Sequence, residues 1–280
     1  MYALQAKTGL KTAAISHMVS VLRQPLDRKL FEGYEHLVIE ADDMDNENLI
    51  EHFPNTNAFI STALKNGGVV FVHCAMGKSR SATILAAYLM QSRQLDAQGA
   101  VQLIRQARHF VEPNAGFMEQ LEIYHQMQYT ANLADHPIYQ RWLYKMEVKT
   151  SRAAPDPKKI HFRNEEKKIE EITGETPGQR IELRCRKCRT TLATSDFLAL
   201  HVSKSAQAAK ECCSHHFVEP MSWMRPEFEQ SKLDGKFECP KCKSKVGSYD
   251  WSGIKCSCGE WVNPGISLAR SKVDEVKVKV

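Results

Sequence analysis

The sequence predicts an α/β domain, a central sheet flanked by helices, followed by a small β-rich domain. Strand-sized apolar runs alternate with helically spaced apolar residues through the first half of the chain. One such strand passes through a tight loop, His73-Cys74-Ala75-Met76-Gly77-Lys78-Ser79-Arg80-Ser81, straight into an apolar helix. Eight of the nine cysteines lie beyond residue 184, in closely spaced pairs.

The first 30 residues read as an amphipathic helix, a strand over 14–22 and a turn at Gln24-Pro25. A short strand follows at 36–39, then an acidic loop from Asp42 to Asn48. Leu49, Ile50, Phe53, Phe59, Ile60 and Leu64 share one face of a helix that Gly67-Gly68 stops. The apolar run 69–72 is a buried strand, and 79–92 is the helix beyond the loop. Asp96 caps a helix through Phe110; Pro113-Asn114 breaks the chain, and 116–129 forms the last long helix. A further helical segment covers 137–146. The prolines and the Glu/Lys run of 147–180 read as a linker between a domain at 1–146 and a second at 181–280.

No apolar stretch approaches the length of a membrane span, and the first residues lack a secretory h-region. No membrane partner is expected. Short cysteine spacings in such a chain favour zinc and a reducing compartment over disulfides.

A cysteine attacks only as thiolate, and its free pKa is about 8.5. Cys74 precedes a helix N-terminus, so the amides of 75–80 can turn inward around an anion. Arg80 adds a planar fork that matches two phosphate oxygens. Gly77 permits the curl. Ser81, with Ser79 beside it, can donate to the thiolate and help it leave. His73 orders the loop. A buried structural cysteine beside a surface arginine is the competing reading; the strand–loop–helix setting argues against it. A leaving alkoxide or phenoxide needs a proton, and Asp42, Asp43 and Asp45 lie on an upstream loop. Periodicity does not choose among them, although Asp45 reads as a solvated turn residue.

The 1–146 segment resembles the cysteine-dependent dual-specificity protein phosphatases. The resemblance implies an α/β cysteine-dependent phosphatase domain that transfers phosphoryl from Ser, Thr or Tyr to Cys74, with no metal in the chemistry. Aligning Ile-Glu-Ala-Asp42-Asp43 and Asn48-Leu49…Phe53 with the family places the general acid at Asp43, with Asp42 as the other candidate. Arg80 is then the phosphate ligand and Ser81 the thiolate's hydrogen-bond donor. Asn114 resembles a family position that supports the loops, and a helix cap is equally consistent. Family members begin with an edge strand that has no counterpart before the helix opening at Tyr2.

Cys185-x2-Cys188 is one metal knuckle; Cys239-x2-Cys242 and Cys256-x-Cys258 read as a second set. The latter four thiolates fit one all-cysteine tetrahedral zinc site. The first knuckle needs two more donors from His201, Cys212, Cys213, His215 and His216. Tyr249, Trp251 and Trp261 are expected to cover a small hairpin core. Trp223 and Met224 read as buried, with an exposed patch as the alternative, and 271–280 as a strand or frayed tail. This segment resembles the zinc-binding module of one dual-specificity phosphatase subgroup, through Cys213-Ser-His-His-Phe217-Val-Glu219-Pro220-Met-Ser-Trp223-Met224. The resemblance selects Cys213 and, with it, His201. Both zinc ions are then structural, with folding coupled to their uptake.

Residues 1–180 carry 21 basic and 21 acidic side chains, and 181–280 carry 17 and 12. Seven zinc-bound thiolates on two zinc ions would lower that +5 to about +2. The zinc segment lacks a dense Arg/Lys stripe interleaved with aromatics, which argues against tight RNA binding on its own. Over both domains, the resemblance is to the subgroup linked to maturation of the large ribosomal subunit. It implies a pre-60S particle (rRNA and ribosomal proteins) and phosphoprotein substrates as partners. It further implies release of a placeholder factor, and residence in nucleus and cytoplasm. The alternative is a dedicated signalling phosphatase whose zinc domain recruits phosphoproteins, with no ribosomal role.

Overall fold

The computed structural model describes residues 7–24, 26–164, 180–199, 201 and 213–278. They form two units that divide between Ile138 and Tyr139.

In the first unit, α1 (Lys7–Thr12) leads into β1 (His17–Val21), the middle strand of a parallel sheet. β2 (Glu35–Ile39) and β3 (Val70–His73) flank it, giving the order β2-β1-β3. β1 is buried on both faces, as a central parallel strand must be, with Met18, Val19 and Val21 fully enclosed. Ser20 lies among them. Its hydroxyl is satisfied by His36 Nε2 at 2.7 Å and His73 Nε2 at 2.6 Å, a polar stitch across all three strands.

The helix expected from Leu49 begins as a 3₁₀ turn, Ile50–His52, and becomes α2 (Phe53–Lys65) once Pro54 can sit in its first turn. α3 (Arg80–Arg93) starts at the arginine itself. Asp96 caps α4 (Ala97–Ala107) by accepting from the Gly99 amide. That helix stops short of Phe110, because Arg108 leaves helical φ where its guanidinium reaches the Gly77 and Met76 carbonyls. Asn114 caps α5 (Ala115–Gln126) through the Phe117 amide. Phe53, Ile84, Met90, Phe117, Leu121 and Tyr124 fill the core between these helices.

α6 (Pro137–Ser151) runs past the expected end at Met146. Its Tyr144 stacks edge-on against Trp251 and belongs to the second unit's core. That unit is built on two antiparallel sheets. One has the order β12-β4-β5, from β4 (Arg180–Cys185), β5 (Thr191–Thr194) and β12 (Val273–Val278). The C-terminal segment is thus a paired strand through Val278. The other sheet has the order β6-β11-β8-β7, from β6 (His215–Phe217), β7 (Asp234–Glu238), β8 (Lys245–Asp250) and β11 (Gly265–Ala269). A small hairpin, β9 (Ile254–Lys255) and β10 (Trp261–Val262), carries the last cysteine pair.

Tyr249 and Trp251 sit in the core with Phe228 and Phe237, as expected, but Trp261 does not: it is 57% exposed. The hairpin turns it outward, and its indole nitrogen donates to the Ser252 carbonyl. The Phe-x-Glu-Pro-x-x-Trp-Met run is structural. Met224 is buried, Trp223 donates to the Leu192 carbonyl at 2.7 Å, and buried Glu219 pairs with Arg141 of α6 at 3.4 Å. Burial pushes the Glu219 carboxyl up, against the pull of Arg141 and Arg163. Among the described residues, no helix is long and apolar enough to cross a membrane.

Candidate active site and metal centres

The loop after β3 curls around a single sulfur. Cys74 is 2% exposed, and its Sγ accepts from the Gly77 amide at 3.2 Å and the Ser81 hydroxyl at 3.3 Å. Gly77 holds φ at +67°, the left-handed conformation that a side chain would strain. Burial raises the Cys74 pKa, but the bonds from Ser81 and Gly77 and the Arg80 charge outweigh it, so the thiol lies below its ordinary value. Burial pushes His73, the residue before it, down to about 4, so its ring is neutral at physiological pH.

Arg80 is buried, and its charge acts on this sulfur. Its Nη1 donates to the Ala41 carbonyl at 3.0 Å, and its Nε has no hydrogen-bond partner. A buried guanidinium donor without an acceptor suits an oxyanion. The nearest carboxylate is that of Asp43, 3.7 Å from Nε. Asp43 is tethered to the loop: its Oδ1 accepts from Ser79 Oγ at 2.6 Å and Asn114 Nδ2 at 3.0 Å. Asp42 turns the other way, to Arg23 at 2.6 Å. Asp45 is exposed. Asn114 serves both readings given to it, since Oδ1 caps α5 while Nδ2 holds Asp43.

The eight expected metal ligands form two clusters, with ligand atoms within 4.8 Å of one another in each. Their partition differs from the sequence reading. Cys185 and Cys188 meet Cys239 and Cys242, while His201 and Cys213 meet Cys256 and Cys258. The reason is strand topology. The turn after β4 and the turn between β7 and β8 are the same knuckle built twice. Cys185 N donates to Thr190 O and Cys239 N to Ser244 O, both at 2.8 Å, with left-handed Arg189 and Lys243 closing the turns. The two turns face each other. The Cys256 knuckle sits instead on the separate β9–β10 hairpin, near β6, which follows Cys213.

Sγ atoms lie 3.7 Å apart for Cys185–Cys242 and 3.5 Å for Cys188–Cys239. Tetrahedral Zn–S bonds require an edge of about 3.8 Å. Cys213 Sγ is 3.5 Å from His201 Nε2, against about 3.5 Å for a mixed Zn–S/Zn–N edge. The clusters are therefore consistent with two structural zinc sites, each supplied with four protein donors. His215 and His216 lie outside both; His216 pairs with Glu275 and Arg270. Cys212 lies outside the described residues.

A family model for the dual specificity phosphatase catalytic domain matches residues 2–127. The tyrosine-protein phosphatase yvh1 of Schizosaccharomyces pombe is 38% identical, over 87% of this chain and 72% of its own length. The chain belongs to the dual-specificity protein phosphatase family. Its Saccharomyces cerevisiae relative, tyrosine-protein phosphatase YVH1, is 33% identical over 93% of this chain and 84% of that one. A solved structure, the Yvh1 phosphatase domain from Chaetomium thermophilum, is 34% identical, covering 47% of this chain and 90% of that chain with a TM-score of 0.43.

Three residues of the phosphatase unit escaped the sequence reading. Gln120, fully buried on α5, accepts from the Leu49 and Ile50 amides and donates to the Glu47 carbonyl, so it pins the end of the acidic loop. Gly116 admits the Asp45 carbonyl so closely that a Cβ would stand 1.9 Å from it. Arg108 braces the cysteine loop from outside. None of these has a sequence signal beyond residue type, because each acts on a loop tens of residues away.

Proposed function

We propose that this chain hydrolyses phospho-Ser, phospho-Thr and phospho-Tyr in proteins through a cysteinyl-phosphate on Cys74. The observation that carries this reading is the convergence of the Gly77 amide and the Ser81 hydroxyl on one buried sulfur that also feels the Arg80 charge, with Asp43 tied beside that arginine. The Cys74 thiolate attacks phosphorus in line as the bond to the substrate oxygen breaks. Arg80 holds two phosphoryl oxygens, its Nε, which lacks a hydrogen-bond partner, taking one. Asp43 gives its proton to the leaving oxygen and then takes one from water. The resulting hydroxide attacks phosphorus, and the S–P pair returns to Cys74, where Ser81 stabilises it. Zinc has no part in these steps.

Cys74→Ser should abolish turnover while leaving the fold intact. Asp43→Ala should lower turnover by about 10²–10⁴-fold on esters with poor leaving groups and much less on activated ones. Equal losses on both classes would remove Asp43 as the acid, and an effect confined to Asp42→Ala would shift the assignment by one residue.

The second half of the reading is that the zinc unit docks the chain on pre-60S particles, where it acts in release of a placeholder factor, in nucleus and cytoplasm. Similarity to the yeast Yvh1 proteins across both units supports it. Co-sedimentation of wild type, Cys74→Ser and Cys239→Ser with pre-60S particles tests it. The first two should co-sediment and the third should not. If none does, the ribosomal role falls and the zinc unit is left as a recruiter of phosphoproteins.

A further inference from the structure

The second unit is more basic than its cysteine-rich segment. With α6 included it holds 27 basic and 19 acidic side chains, a net +8, whereas the first unit holds 11 and 14, a net −3. Seven thiolates on two zinc ions leave the second unit at about +5.

The charge has a focus. A cleft of about 390 Å³ within this unit is lined by Lys145, Lys149 and Arg152 on one side and by Leu233, Ser252 and Asn263 on the other. The three cations fall at i, i+4 and i+7, one face of α6 and its exit. Lys149 and Arg152 have no carboxylate partner among the described residues. Cations at a helix C-terminus also complement its dipole, which by itself would account for their sign. It does not account for what stands opposite. The carbonyl of Ser252, a lining residue, accepts from both Asn263 Nδ2 at 3.1 Å and Trp261 Nε1 at 3.3 Å, which ties the exposed indole to the cleft wall. Leu233, 38% exposed, adds apolar surface. Cations that track a backbone beside an aromatic face are the two components of single-strand binding.

We propose that this cleft binds single-stranded RNA, with Lys149 and Arg152 on phosphates and a base stacked on Trp261. The choice of RNA rests on the ribosomal reading above; the cleft chemistry does not.

The test is fluorescence anisotropy of a labelled 12-nucleotide oligouridylate with the zinc-loaded full chain, titrated at several salt concentrations. Each variant is first shown to hold two zinc ions. Lys149→Glu with Arg152→Glu should weaken binding at least about tenfold and flatten the log K–log salt slope by about 1.4, two single-strand phosphate contacts. Trp261→Ala should cost about tenfold, and Trp261→Phe should restore most of it. Lys272→Glu with Lys277→Glu, the same charge change on exposed residues outside the cleft, should stay within about twofold. The proposal is overturned if wild type does not bind, or if both charge reversals weaken binding equally. A glutamate peptide competing as well as RNA would mark an acidic protein surface as the occupant instead, and tighter binding of the matching DNA would remove RNA. RNA binding by a wild type that ignores pre-60S particles would sink the ribosomal docking alone. Co-sedimentation that survives the α6 reversal, without RNA binding, would sink this proposal alone.

Discussion

At Cys74, burial and hydrogen bonding pull in opposite directions. Burial disfavours the thiolate, and the Gly77 amide, the Ser81 hydroxyl and Arg80 more than offset it. A thiol with a lowered pKa is reactive above that pKa, and turnover falls as pH drops through it. Ser81→Ala removes the first of the opposing hydrogen bonds, so the acid limb of the kcat/KM profile should move to higher pH. Dephosphorylation of the enzyme should slow by about 10–100-fold, the worth of a hydrogen bond to a charged group. A limb that stays in place, with only the fold loosened, would leave Ser81 a packing residue. His73, pushed down to about 4 by burial, would not supply a limb near neutrality in that profile. That Cys74, Arg80 and Ser81 act on one another was legible because a tight loop gathers its donors from consecutive residues. The setting of Asp43 was legible only through family likeness. What separates it from Asp42 is tertiary: Ser79 and Asn114 on one side, Arg23 on the other.

The elements were legible where apolar period and caps agree. β1, β3, α3 and the Asp96 cap lie within a few residues of their expected places. The misses have tertiary causes. α4 ends early where Arg108 turns to the cysteine loop, and α6 runs on past Met146 where Val148 packs against the second unit's core. Two buried polar side chains hold elements together in ways no periodicity records. Gln120→Ala would strand the Leu49 and Ile50 amides and the Glu47 carbonyl, so the phosphatase unit should lose about 3 kcal/mol in denaturant titration. Turnover of the surviving fold should fall as the acidic loop loosens; unchanged kcat would separate Gln120 from that loop. Glu219→Ala would leave Arg141 without its buried partner and should cost about 3–5 kcal/mol, whereas a paired replacement of both by apolar residues should cost far less.

For the whole molecule, the ligand set was legible and its partition was not. Each knuckle is local, so spacing identifies it, but spacing along the chain does not say which knuckles meet. Strand order decides that, and it sets β4's turn against the β7–β8 turn rather than setting both later knuckles together. Metal analysis of double variants can read the partition directly. Full chain should carry two zinc ions. Cys185→Ser with Cys239→Ser damages one cluster twice and should leave one zinc, because His201, Cys213, Cys256 and Cys258 remain whole. Cys185→Ser with Cys256→Ser damages each cluster once and should leave none. The sequential partition gives the opposite result for the first pair, no zinc, because it places Cys185 and Cys239 in different sites. It does not separate the second pair, which both partitions split. A third pair, Cys239→Ser with Cys256→Ser, closes the test: the observed topology leaves no zinc, and the sequential partition leaves one. Because each cluster ties strands of the second unit, zinc loss and loss of cooperative unfolding in that unit should coincide, while the phosphatase unit keeps its turnover.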